Sequence, residues 1–62
     1  MYTVSINTDS AAFSDDPGAE VARILRELAD QLEAGRFGGP IQLRDYNGNT
    51  VGKASAAPAE DK

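Results

Sequence analysis

Three oxygen donors at alternating positions, Asp45-x-Asn47-x-Asn49, form the densest cluster of chemistry-capable side chains in the chain. A calcium-binding loop starts with this spacing, because alternate residues of a tight loop turn their oxygens towards a common centre. Such a loop also needs glycine at its sixth position and a bidentate carboxylate at its twelfth. Here those positions hold Thr50 and Ala56, and alanine has no side-chain oxygen. The same residues are also what turn geometry selects: Asp opens type I turns and Asn-Gly fills them. The cluster is read as a turn, and no metal site is assigned.

The carboxylates Glu20, Glu27, Asp30 and Glu33 could in principle form an acid/base pair. General acid–base work needs carboxylates whose pKa burial has moved towards neutrality. Nothing in the sequence buries these four, and each has an arginine or water available, so they read as a solvated helix face. Ser5, Ser10, Ser14 and Ser55 have no histidine to activate them. With neither histidine nor cysteine, the chain lacks the commonest general base, thiolate zinc ligands and any disulfide. Gly35, Gly38 and Gly39 lead into a proline and a strand. They suit a helix stop and a turn rather than a phosphate loop, which must open a helix. The expectation is a protein that is not an enzyme and binds no cofactor.

The elements that hold these residues are legible from periodicity. Tyr2, Val4 and Ile6 alternate with Thr3, Ser5 and Asn7, the period-2 pattern of a half-buried strand. Residues 7–16 form a loop in which Phe13 tucks under the following helix as a staple. Asp16 is a good N-cap, Pro17 suits the first helical position and Asp15 favours the positive end of the helix dipole. Val21, Ile24, Leu25, Leu28, Ala29 and Leu32 then span an arc of roughly 140° at 100° per residue. The opposite side carries Glu20, Arg23, Arg26, Glu27, Asp30 and Glu33, with i,i+4 pairs Arg23–Glu27 and Arg26–Asp30. Gly35 supplies the left-handed residue that stops the helix. Phe37, in the reversal that follows, is either a core plug or a contact at a flexible corner, the plug being preferred.

Ile41 and Leu43 alternate with Gln42 and Arg44 ahead of the turn. A two-residue Asn47-Gly48 loop would send Val51 to the polar face. A type I turn from Asp45 with Gly48 in a bulge pairs Asp45 with Asn49 and Leu43 with Val51, which keeps the apolar residues on one face. The sum is an α+β domain of β-α-β-β type, one amphipathic helix on a three-stranded sheet. It spans residues 1–53, and residues 54–62 are expected to be a disordered tail. The expected core is Val4, Ile6, Phe13, Val21, Ile24, Leu25, Leu28, Leu32, Phe37, Ile41, Leu43 and Val51. The reverse of the sheet, with Thr3, Ser5, Gln42, Arg44, Tyr46 and Thr50, is polar and can face water or a second copy.

Sixty-two residues make one small domain whose core is marginal by itself, so a homodimer is expected. Six Lys/Arg against ten Asp/Glu give a net charge of −4, a poor basis for holding phosphates, so no nucleic acid is expected. No apolar run approaches the roughly 20 residues that span a bilayer, and the first residues lack a signal-peptide pattern. A soluble, cytoplasmic protein is expected.

What remains is surface. The acidic helix face, with Glu27 and Asp30, could mimic a nucleic-acid backbone, dock on a basic partner groove or simply keep the protein soluble. Tyr46, close in sequence to Arg44, is a hot-spot seed for a protein partner. Asp9-Ser10-Ala11-Ala12-Phe13, Asp15-Asp16-Pro17, the helix from Glu20 to Arg26 and Leu43-Arg44-Asp45-x-Asn47-Gly48-Asn49-x-Val51-Gly52 resemble short, uncharacterised proteins of tailed phages and prophages. The resemblance covers roughly residues 3–52, and its motifs are structural. It implies a protein that acts inside a bacterial host by sticking to a host or phage protein, inhibition of CRISPR and other anti-phage defence systems included. The alternatives are a self-associating assembly module and a small-ligand binder at a dimer interface.

Overall fold

The alternating start of the chain forms β1, Tyr2–Ile6. A short 3-10 turn at Ala11–Phe13 leads into α1, Pro17–Glu33. Both helix ends follow from local chemistry. The Asp16 carboxylate accepts from the Ala19 N–H at 3.1 Å, with Pro17 behind it in the first turn. At the other end Gly35 has φ of 97°, a left-handed conformation that glycine adopts without a Cβ penalty. β2, Ile41–Arg44, and β3, Thr50–Ala56, complete the chain. In this computed structural model, which describes residues 1–56, one helix packs against a three-stranded antiparallel sheet, in chain order β1-α1-β2-β3.

The sheet order is β1-β3-β2, so the last strand is central and the first two are edges. Ala54 is fully buried at the middle of β3, between Val4 and Ile41. The domain therefore reaches three residues past 53, and the remainder of the expected tail, 57–62, lies outside the described residues.

The turn adopts the expected bulged form. The Gly48 N–H donates to the Asp45 carbonyl and the Asp45 N–H to the Asn49 carbonyl, both at 2.9 Å, with Gly48 at φ 87°. The register beyond it differs from expectation, since Leu43 stands opposite Gly52, not Val51. Arg44 pairs with Thr50, so one extra residue is inserted into β3 between these pairs. Such a bulge sets two successive residues against one partner, which lets Val51 and Ala54 both face inwards despite their odd spacing. Gly52 is fixed by crowding of a different kind: a Cβ there would collide with the β1 backbone at Ser5 and Ile6.

Phe13, Ile24, Leu28, Ile41, Leu43 and Val51 form the core with Ala12 and Ala54. Tyr2, Ile6, Val21 and Leu32 pack at its border. Three expected core residues are instead exposed: Val4 at 40%, Leu25 at 42% and Phe37 at 55%. The reason is placement, because α1 lies over the β2 side of the sheet and leaves the inner face of β1 partly open. Phe37 is no plug; it stacks on Tyr2 with ring centroids 5.1 Å apart. The Tyr2 hydroxyl is buried with no hydrogen-bond partner among the described residues.

Two comparisons in urea follow. Gly48→Ala should cost about 1 kcal/mol, the left-handed penalty alone. Gly52→Ala must push β1 off the sheet and should cost more than about 2 kcal/mol; a smaller loss than at Gly48 would contradict this register. Tyr2→Phe removes a buried hydroxyl that has no partner, so its midpoint should equal or exceed that of the parent.

Candidate functional site

The corner where α1 meets the hairpin collects most of the side-chain hydrogen bonds among the described residues, and it is built around two buried carboxylates. Glu20 is only 7% exposed. It sits at i,i+4,i+8 spacing with Ile24 and Leu28, which places it on the buried stripe of the helix. The solvated carboxylate face expected from the sequence therefore loses Glu20. Arg23, one turn along, grips it with two parallel bonds, Nε to Oε1 at 2.9 Å and Nη2 to Oε2 at 2.7 Å. The same guanidinium reaches Glu27 at 2.8 Å and the Arg44 carbonyl at 3.2 Å. Glu20 Oε2 also accepts from the Tyr46 N–H at 2.9 Å. Helix, strand and turn are thus tied through one ion pair.

Asp45 pins the turn from within. Its Oδ1 accepts from the Asn47 and Asn49 N–H groups, each at 2.9 Å. Its Oδ2 accepts from the Ser10 hydroxyl at 3.0 Å and the Asn49 side-chain amide at 3.3 Å. Both oxygens of the residue that opens the calcium-like spacing are thus engaged by donors of the protein itself. Ser10 adds a third anchor, because it fastens the loop before α1 to the turn.

These contacts set the charge states. The Arg23 guanidinium holds the Glu20 carboxyl below its ordinary pKa; burial opposes this, and the Tyr46 N–H reinforces it. Arg23 is raised correspondingly by Glu20. At Asp45 burial pushes the pKa upwards. The bonds from Asn49, Ser10 and Asn47 together outweigh it, and the net direction is down. Both groups are fixed carboxylates at neutral pH, placed to accept hydrogen bonds rather than to exchange protons.

The four residues expected to meet a partner separate in space. Glu27 and Arg44 line one shallow groove between α1 and the edge of β2, with Gln31 and Gln42. The Arg44 guanidinium folds back along its own strand and donates to the Gly48 carbonyl and to Gln42 Oε1. Tyr46 is 64% exposed and faces the start of the helix, where Asp15, Asp16, Ala19 and Arg23 line the depression beside it. The arginine beside Tyr46 is therefore Arg23, not Arg44. Asp30 is exposed on the solvent side of α1, and no ion pair joins it to Arg26. Sequence reasoning missed Glu20 and Ser10; for Glu20 a signal existed in its spacing from Ile24 and Leu28.

Because both folded-state carboxyl pKa values lie below the unfolded ones, their contribution is fully present above the ordinary carboxylate range, near pH 4. It is lost as pH falls through the lower folded values. The denaturation midpoint should therefore hold from about pH 7 to about pH 5 and drop below about pH 4. Glu20→Gln should lower the neutral plateau and flatten that acid drop. An unchanged slope in this variant would show that the Glu20 pair does not control acid stability.

No protein-family model matches the chain, and neither a curated protein nor a solved structure shows significant similarity to it.

Proposed function

We propose that this chain is a non-enzymatic module that binds a host or phage protein, with Tyr46 as its anchor. One observation carries the reading: a largely exposed aromatic ring sits on a turn whose backbone is locked from the helix, the loop and the turn itself. Aromatic side chains dominate binding energy at protein interfaces. Holding one in place before contact removes part of the ordering cost of association. Arg23 beside it, with Asp15 and Asp16 across the depression, supplies a polar rim.

The chemistry of the chain supports binding over turnover. It has no histidine or cysteine, and its two buried carboxylates are engaged as structural acceptors. The resemblance to small phage proteins favours a target inside a bacterial cell, a component of an anti-phage defence complex being the leading candidate. The exposed carboxylates Glu27 and Asp30 extend the surface along the helix and favour a basic patch on that target.

Immobilised protein should retain a specific partner from a host lysate and raise phage plating on defended hosts. Tyr46→Ala should weaken that complex by about thirtyfold, as expected for losing about 2 kcal/mol at a hot spot, with the thermal midpoint unchanged. Glu27→Lys with Asp30→Lys should weaken it further, while Arg23 keeps Glu20 and the fold persists. Equal retention by the parent and Tyr46→Ala would remove Tyr46 as the anchor.

A further inference from the structure

The two edges of the sheet are managed differently. β2 has four residues, is preceded by Pro40, and has its outward Arg44 carbonyl capped by Arg23. Proline before a short strand and a covered carbonyl are devices that stop an edge from recruiting another strand. β1 carries none of them. Its five residues, Tyr2-Thr3-Val4-Ser5-Ile6, hold no charge and no proline, and their register with β3 is unbroken.

The backbone groups that β1 presents can be read from its ladder. Asn7 donates its N–H to the Val51 carbonyl at 2.6 Å, so Asn7 faces β3. Alternation then turns Ser5 and Thr3 towards β3 and leaves the N–H and C=O of Tyr2, Val4 and Ile6 on the open edge. Their side chains lie on the inner face, opposite Ala56, Ala54 and Gly52. That face is only partly covered, and Val4 at its centre is the exposed member. Glu27 and Gln31 face the β2 edge. Leu25, on the opposite flank of α1, is exposed as well. An uncharged strand edge thus carries the exposed Val4, with Phe37 stacked on Tyr2 at its start.

We propose that this edge is the interface of a homodimer in which two copies of β1 pair antiparallel about a two-fold axis at Val4. Tyr2 then stands opposite Ile6 of the partner subunit, and all five residues of the strand are used. Every outward N–H and C=O of Tyr2, Val4 and Ile6 gains a partner, and the two sheets join into one of six strands. The occupant is a second copy because the edge is complementary to itself. Each copy carries a net charge of −4, yet the paired strands contain no charged residue, so no like charges are opposed there. A two-fold contact of this kind closes on itself and does not propagate into a fibre. Specific dimers bury roughly 800 Å² per partner, about a fifth of the 4178 Å² surface of this chain. Strand pairing is therefore supplemented on the inner face by Val4 and Phe37. Tyr46 and the β2 groove lie away from this edge and stay free for another protein.

The test uses the full chain, which contains no cysteine. Paired residues of a hydrogen-bonded antiparallel rung have Cα atoms about 5.5 Å apart, within the range a disulfide spans. Val4→Cys should become a covalent dimer under mild oxidation, and Gln42→Cys on the other edge should not. By sedimentation equilibrium the parent should be dimeric. Val4→Lys, whose side chain occupies a partly open position, should raise the dimer dissociation constant at least tenfold with an unchanged far-UV spectrum. Val4→Pro, which deletes only an outward N–H, should do the same. A strict monomer at high concentration means that a foreign strand or nothing covers the edge, and overturns the proposal. A dimer that survives Val4→Lys, or that cross-links through Gln42→Cys, overturns it equally.

Discussion

The Glu20–Arg23 pair is the contact on which the rest of this small structure depends. A three-stranded sheet and one helix leave little core: among the described residues its larger buried side chains are Phe13, Ile24, Leu28, Ile41, Leu43 and Val51. The helix must therefore be located on the sheet by something more directional than apolar packing. A buried carboxylate does this because its burial is tolerable only when its oxygens are fully engaged. Arg23 supplies two bonds from within the helix, and the Tyr46 N–H bond to Glu20 and the Arg23 bond to the Arg44 carbonyl cross to the hairpin, so sliding the helix would break both crossing contacts. The position of the turn follows from the helix, and that of the exposed tyrosine follows from the turn.

A second constraint acts through the backbone. The inserted residue in β3 changes which side chains face inwards, bringing Val51 and Ala54 into the same core. The close approach of β1 at Gly52 completes the central strand. Because β3 lies in the middle, the helix has two edge strands to choose between, and the Arg23 bond to the Arg44 carbonyl commits it to β2. The open inner face of β1 is the consequence. Arg23 thus both pairs with Glu20 and caps the β2 edge, on the side where Ile24 and Leu28 share a core with Ile41 and Leu43.

Seen in this way, the molecule has two separable surfaces. The helix–turn corner carries a rigid aromatic side chain with a mixed-charge rim, and β1 offers uncharged backbone with an apolar border. Polar groups at the first are preordered by buried carboxylates. The second presents the outward backbone groups of an edge strand. This division is economical in a chain of 62 residues, since each surface needs few residues and little depth.

The elements themselves were legible in the sequence because their causes are local. The alternation of Tyr2, Val4 and Ile6, the Asp16-Pro17 start, Gly35 and the Asp45-to-Gly48 turn each act within a few residues of themselves. Tertiary structure alone decided which face of which strand the helix covers. It therefore decided that Glu20 and Asp45 are buried while Val4, Leu25 and Phe37 are exposed. It also set the shift at Val51, whose cause lies in satisfying β1 and β2 on both sides of β3 at once. Periodicity reports how apolar a face is; whether that face is covered depends on partners distant in sequence, which a local pattern does not encode.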